Sequence, residues 1–242
     1  MNVRKILNII FPVKCVCCQK VSENADCDDI LCQKCRKIID ETAAYDCMKC
    51  KNPPHLCRCK KVEHISQVLF AYFYAGEKLK QAIYKVKRAN LYYINEFFAK
   101  SMYNSLKSGD IIEKDVIDFI TNTPRMKSSV RFYGYNQTKA LAKLISKYTG
   151  IPYMPILAAS KSYDTEQKTL NRTRRSQNVK NKFKIIKSIK KSGRLKDKNI
   201  LIIDDVVTTG STLSECAKIM KNTGAKNIYA LCAASVSIGG DC

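Results

Sequence analysis

The stretch "ILIIDDVVTTGSTL", from Ile200 to Leu213, limits the possible folds more than any other part of this chain. Four consecutive apolar residues lead into two aspartates. A continuous apolar run of this length reads as a strand covered on both faces, as in a parallel sheet. A hydroxyl-rich turn around Gly210 follows, then a helical pattern to about Asn222 with Gly224 beyond it. Thr212 and Glu215 have the T-x-x-E spacing of a capping box for that helix. "NIYALCAAS" supplies the next strand. Strand, loop, helix and strand in this order form an α/β unit, whose ligands sit at the carboxyl ends of the strands.

At that end the residue types become specific. Asp204 and Asp205 leave the strand, and Thr208, Thr209, Gly210, Ser211 and Thr212 wrap the start of the helix. Backbone N–H groups and hydroxyls at a helix start cradle a phosphate monoester. Two carboxylates would repel that phosphate unless they accept hydrogen bonds from a diol or act through a divalent cation. A ribose 5-phosphate unit with free 2- and 3-hydroxyls satisfies both conditions. A P-loop is excluded because no lysine follows Gly210, and no G-x-G-x-x-G follows the strand. Without a ligand the same residues would be a solvated strand end and a helix cap; the full array in its strand–loop–helix context favours binding.

The N-terminal quarter obeys a different logic. Of 13 cysteines, eight fall in pairs: Cys15 with Cys18, Cys32 with Cys35, Cys47 with Cys50, and Cys57 with Cys59. Thiolates two residues apart on a tight turn converge on one ion, and two such turns complete a tetrahedron, so the spacing predicts structural Zn2+. His55 is an alternative ligand in the second set. Spacing alone allows either two stacked ribbons or interleaved pairs. Cys216 and Cys232 lie in apolar segments and read as small buried hydrophobes. A polar region of this size has few other means of staying folded than the metal.

The rest of the chain reads as a globular α/β domain. "ISQVLFAYFYAG" predicts strand, ending at Gly76, and "EKLKQAIYKVKRA" a helix with Leu79, Ile83 and Val86 on one face. Its Lys80, Lys85, Lys87 and Arg88 form a basic face suited to a phosphate or a nucleic-acid strand, or simply to water. Further expectations are a helix before Gly109, a strand before Pro124, and a helix with Leu141, Leu144 and Ile145 buried and Gly150 as C-terminal cap. Residues 160–182 lack apolar periodicity and read as a long basic loop. "MNVRKILNIIFPVK" is short for a signal-peptide core and reads as a helix over Ile6–Phe11. No run of 18 apolar residues predicts a membrane span. Across 242 residues, 43 Lys and Arg against 21 Asp and Glu give a net charge of +22, which favours polyanionic partners, or reflects a general lysine bias.

The four cysteine pairs, "FAYFYAGEKLKQAIYKVKRA", "PRMKSSVRFYGYNQTKALA", "QKTLNRTRRSQNV" and the Asp204–Thr212 signature together resemble the ComF family. These competence-associated bacterial proteins join a double zinc ribbon to a type I phosphoribosyltransferase domain. The resemblance spans nearly the whole chain, and the Gly134–Tyr135–Asn136–Gln137 motif beside the cysteine pairs makes it specific. It implies an α/β fold, with a type I phosphoribosyltransferase-like parallel sheet at 62–242 and a cysteine-rich double zinc ribbon at 1–61. It further implies that phosphoribosyl diphosphate is bound with Mg2+. Asp204 and Asp205 would hold the ribose hydroxyls and Thr208–Thr212 the 5-phosphate. The turn at Pro124, Arg125 and Met126 would meet the diphosphate, bordered by Arg131, Asn136 and Gln137. A hood bearing Arg172, Arg175 and Asn178 would close over the sugar. Catalytic roles would fall to Asp204, Asp205 and Arg131. Tyr133 stands where the family usually has arginine, and Ser128 and Ser129 where basic residues are usual, leaving fewer cations for the diphosphate. With only His55 and His64 in the chain, a histidine base is not expected.

The family works on single-stranded DNA uptake in natural transformation, on the cytoplasmic side or at the inner face of the membrane, with helicase-like and recombination partners. Two readings follow. One is a phosphoribosyltransferase-type enzyme whose acceptor the sequence does not name. The other is a non-catalytic single-stranded-DNA-binding accessory protein that kept the fold. A regulator that senses the sugar diphosphate is a third.

Overall fold

The structure, a computed structural model, describes residues 14–18, 20–21, 31–43, 50–53, 56–74, 77–88, 92–108, 117–160 and 182–236. The expected helix at Ile6–Phe11, Cys47, His55, and the hood residues Arg172, Arg175 and Asn178 lie outside the described residues. In chain order the elements are α1 (Gln33–Ala43), β1 (Gln67–Phe73), α2 (Glu77–Arg88), α3 (Tyr92–Lys107), β2 (Phe119–Asn122), α4 (Lys127–Tyr133), α5 (Gln137–Thr149), β3 (Leu157–Ala159), β4 (Phe183–Ile185), α6 (Lys187–Ser192), β5 (Asn199–Val207), α7 (Ser211–Lys221) and β6 (Asn227–Ser235).

Strands β1, β6, β5 and β2 lie side by side in that order, and each neighbouring pair is parallel. Parallel neighbours need crossover connections, which explains the alternation of strands with helices. β5 is buried on both faces, as its unbroken apolar run requires. Leu201 and Ile203 enter one core, shared with α3 and α5, while Ile200 and Ile202 enter the other, beneath α7. All four side chains are fully buried, each contributing about 1.5–3 kcal/mol. The core is the type I phosphoribosyltransferase arrangement of a parallel sheet between helices. β3 and β4 form a separate antiparallel pair.

The cysteine-rich part rests on this core. Cys15, Leu31, Cys35 and Ile39 share an apolar cluster with Leu79, Ile83 and Phe98. Cys57 and Val62 join the opposite cluster with Phe70, Val207 and Leu213.

Local signals hold well in α5. Leu141 and Ile145 are fully buried, Leu144 is partly so, and Gly150 adopts φ 76° with its N–H donated to the Ser146 carbonyl. One expectation needs correction. Gly210, not Thr212, is the N-cap of α7, and no side chain caps it. Thr212 therefore sits inside the helix, and the T-x-x-E box does not form. The left-handed conformation of Gly210, φ 84°, lets the chain enter the helix that early. α4 was not expected, because seven residues are too few to display a period.

At the opposite end of the sheet, Asp118 ties β2 to β5. It accepts hydrogen bonds from Lys198 Nζ and the Asn199 N–H, both at 2.8 Å. Partial burial opposes the charge, but these donors outweigh it and lower the carboxyl pKa below its usual 3.8. A depressed folded pKa gives stability that is present above the unfolded value and lost as pH falls through the folded one. Asp118→Asn should cost about 1 kcal/mol at pH 7, lowering the thermal midpoint by roughly 2–4 °C. The difference from wild type should shrink in melts as the pH is taken progressively below 3.8; a constant difference at all pH values would remove the carboxylate from this role.

Candidate functional site at the carboxyl end of β5

Asp204 and Asp205 are 8% and 9% exposed, so both carboxylates are held within the protein. Buried charges need hydrogen-bond donors. Asp204 Oδ1 accepts from Thr123 Oγ1 at 2.8 Å and from the Asp205 N–H at 2.9 Å. Asp205 Oδ2 accepts from Gln137 Nε2 at 2.7 Å, and its Oδ1 from the Val206 N–H at 2.7 Å. β5 keeps one parallel register with β6 through the pair, with Asp204 beside Cys232 and Val206 beside Ala234.

A second tier fixes the donors. Thr138 Oγ1 lies 2.8 Å from the Thr123 carbonyl and 2.9 Å from Asn136 Oδ1. Asn122 donates to the Thr123 carbonyl and accepts from the Tyr153 hydroxyl, each at 2.8 Å. Arg125 donates to Gln137 Oε1, which turns the Gln137 amide N–H groups toward Asp205. Asn136 caps α5 by accepting from the Lys139 N–H at 3.2 Å. The structure thus gives Asn136 and Gln137 partners within the protein. Burial pushes the Tyr135 phenol up to about 12, against the lowering effect of Arg125, so it stays neutral. Burial and the Asp204 charge likewise raise the thiols of Cys216 and Cys232, which remain neutral, as expected of buried small hydrophobes.

Beyond β5, Thr208, Thr209, Ser211 and Thr212 are exposed around buried Gly210. Thr209 Oγ1 and Ser211 Oγ lie 2.8 Å apart. Two contacts come from the chain just beyond Cys59: Lys60 Nζ donates to the Thr208 carbonyl, and Val62 packs on Gly210. Sequence reasoning missed Thr123, Lys60 and Val62, each a common residue type with no motif around it. Met126 is the N-cap of α4, and Arg131 is exposed in its last turn.

The thiols of Cys15, Cys18, Cys32 and Cys35 lie within 4.8 Å of one another, as do those of Cys50, Cys57 and Cys59. Cys18 and Cys32 sulfurs are 3.7 Å apart, and those of Cys50 and Cys57 are 3.8 Å apart. Two sulfurs bound tetrahedrally at about 2.3 Å from one zinc would lie about 3.8 Å apart, so both sets fit that ion. Burial opposes ionisation of Cys15, but the backbone N–H groups of Cys18, Cys32 and Cys17 outweigh it and hold the thiol at about 6. Burial and the neighbouring sulfurs push Cys35 up.

Residues 139–239 match the phosphoribosyl transferase domain family. The sequence is 25% identical to competence protein F of Haemophilus influenzae over 227 residues, covering 90% of this chain and 95% of that protein. The chain is a homologue of competence protein F with a phosphoribosyl transferase domain. Competence protein ComFC of Streptococcus pneumoniae is 22% identical over 206 residues, 83% of this chain and 86% of its own length. A shorter match, 43% identical over 47 residues, joins 19% of this chain to 15% of the ribose-phosphate pyrophosphokinase of Clostridium perfringens.

Lys80, Lys85, Lys87 and Arg88 lie within the span of α2. Lys80 Nζ sits 6.0 Å from the centre of the Tyr74 ring, an aromatic partner the sequence did not reveal. No helix among the described residues is long and apolar enough to cross a membrane.

The Gly210–Val62 contact is testable by itself. A Cβ at Gly210 would lie 2.5 Å from Val62 Cγ2, in a left-handed backbone that already disfavours it. Gly210→Ala should cost about 2 kcal/mol or more, and adding Val62→Ala should recover about 1 kcal/mol of that. Strictly additive losses in denaturant melts would mean that the two residues do not press on each other.

Proposed function

We propose that this ComF homologue binds phosphoribosyl diphosphate with Mg2+ at the carboxyl end of β5. The observation that carries the reading is the meeting of two oriented, buried carboxylates with an exposed hydroxyl loop at a helix start. Asp204 and Asp205 hold the ribose hydroxyls, while Thr208, Thr209, Gly210, Ser211 and Thr212 hold the 5-phosphate. The turn at Arg125 and Met126 meets the diphosphate, with Arg131, Asn136 and Gln137 at its border, and Arg172 and Arg175 supply further positive charge. Bound Mg2+ supplies neutralising charge for the diphosphate. If the sugar is transferred, Arg131 stabilises the leaving diphosphate and the aspartates hold the ribose as positive charge develops on it. The acceptor stays open.

We further place residues 1–61 as a zinc-bound unit. One ion belongs to Cys15, Cys18, Cys32 and Cys35, and a second to Cys50, Cys57 and Cys59 with Cys47. Metal analysis of purified protein should return about two zinc per chain, and Cys57→Ser with Cys59→Ser about one. Less than half an equivalent in the wild type would end the metal reading.

A second reading, binding of single-stranded DNA, is favoured by the +22 charge and fits the similarity to competence proteins. Calorimetric titration separates the two. With phosphoribosyl diphosphate and Mg2+, Asp204→Ala with Asp205→Ala should weaken binding at least tenfold, since each lost charge-assisted hydrogen bond is worth roughly 1.5–3 kcal/mol. With single-stranded DNA that variant should bind as wild type, while Glu at Lys80, Lys85, Lys87 and Arg88 should weaken binding and flatten its salt dependence. Equal sugar affinity in wild type and the alanine pair would overturn the sugar assignment. A DNA response that follows total charge alone would overturn the α2 face.

A further inference from the structure

The proposed sugar site has a cation deficit that the cysteine-rich segment can correct. Residues 208–214 contain no lysine or arginine, and Asp204 and Asp205 stand just before them. A phosphate dianion placed there would face two carboxylates with only backbone and hydroxyl donors to hold it. The ammonium that touches this loop comes from outside the parallel-sheet core. Lys60 Nζ donates to the Thr208 carbonyl, across 148 positions of sequence. An ammonium has three N–H donors, and the carbonyl uses one. Lys60 is half-buried, and with Lys61 it also lines an open cleft of about 490 Å3 bounded by residues 58–68.

Lys60 is held there by its neighbours. Cys57 and Cys59 flank Arg58 and, with Cys50, form the second thiol cluster. Arg58 reaches the side-chain carbonyl of Gln67 in β1, with Nη2 at 2.9 Å once that amide takes its hydrogen-bonding orientation. Two residues beyond Lys60, Val62 lies on Gly210, where a single added carbon would meet it at 2.5 Å. The stretch from Cys57 to Val62 is therefore fastened at the thiols and at β1, and it bears on the hydroxyl loop at two points.

We propose that this segment is a working part of the sugar-phosphate site: Lys60 is a positioning residue that sets the Thr208 carbonyl and lends its charge to the 5-phosphate, and metal at Cys50, Cys57 and Cys59 holds it in place. The proposal rests on the sugar reading given above. Linkage makes the effect reciprocal: if the fastened segment favours phosphate binding, bound phosphate must favour the fastened segment and its metal.

The test uses full-length, zinc-loaded protein and ribose 5-phosphate with Mg2+. Wild type, Lys60→Met and Lys60→Arg are compared by calorimetry, thermal melting and the rate of zinc loss to a chromogenic chelator. Lys60→Met should bind ribose 5-phosphate about tenfold more weakly, with unchanged zinc content and melting temperature, and Lys60→Arg should recover most of the affinity. Saturating ribose 5-phosphate should slow zinc loss from wild type several-fold, and from Lys60→Met hardly at all. If wild type binds the sugar phosphate but Lys60→Met binds it equally well, or its zinc leaves at the same rate with and without ligand, this inference falls and the sugar reading stands. If wild type takes up no sugar phosphate, both fall. If Lys60→Met melts early, the lysine is merely structural and the inference is overturned.

Discussion

Two adjacent carboxylates at the end of a doubly buried strand set the terms for everything around them. Charges with less than a tenth of their surface exposed persist only where donors are fixed in place. The donors come from three sources: Thr123 just after β2, Gln137 at the first position of α5, and the backbone of β5 itself. That requirement places β2 beside β5 and aims the start of α5 at the strand end. It also accounts for the next tier, since Asn122, Thr138, Tyr153 and Arg125 serve mainly to hold the donors. A buried polar network of this kind is stable only when its members are satisfied together, which ties the orientation of the carboxylates to the packing of the whole α/β core.

The cysteine-rich residues engage the sheet from both sides. Cys15, Cys17 and Cys35 contribute to the core on the α3 and α5 face, and Cys57 to the core beneath α7. A short polar segment lacks the area to bury a core of its own. The thiol clusters are compatible with a metal site, and the larger domain supplies the apolar surface. One consequence is that residues near Cys57 and Cys59 become neighbours of the hydroxyl loop at the carboxyl end of β5.

Glycine at position 210 joins these two themes. Its left-handed backbone lets the chain pass from the loop straight into α7, and its missing side chain leaves room for Val62. The same residue serves the helix start and the seat of the cysteine-rich segment, and any side chain would disturb both.

The sequence by itself determined what depends on local pattern. The β5 strand, the β6 strand, helix α5 with its Gly150 cap, the paired cysteines and the hydroxyl loop are all legible, because period, turn chemistry and ligand spacing act over a few residues. The competence-family resemblance was legible for the same reason, as a sum of local motifs. Tertiary structure alone decided who holds the carboxylates. Thr123 is 81 positions from Asp204, Gln137 is 68 from Asp205, and Lys60 is 148 from Thr208. Thr123 and Lys60 carry no motif, and all three residues acquire their partners from tertiary packing. Asn136 and Gln137 were legible as part of a motif, but not that one would cap α5 and the other would support a carboxylate. The start of α7 was misplaced for a related reason: a T-x-x-E spacing is local, whereas the fit of Gly210 beneath Val62 is set by a segment far away in sequence.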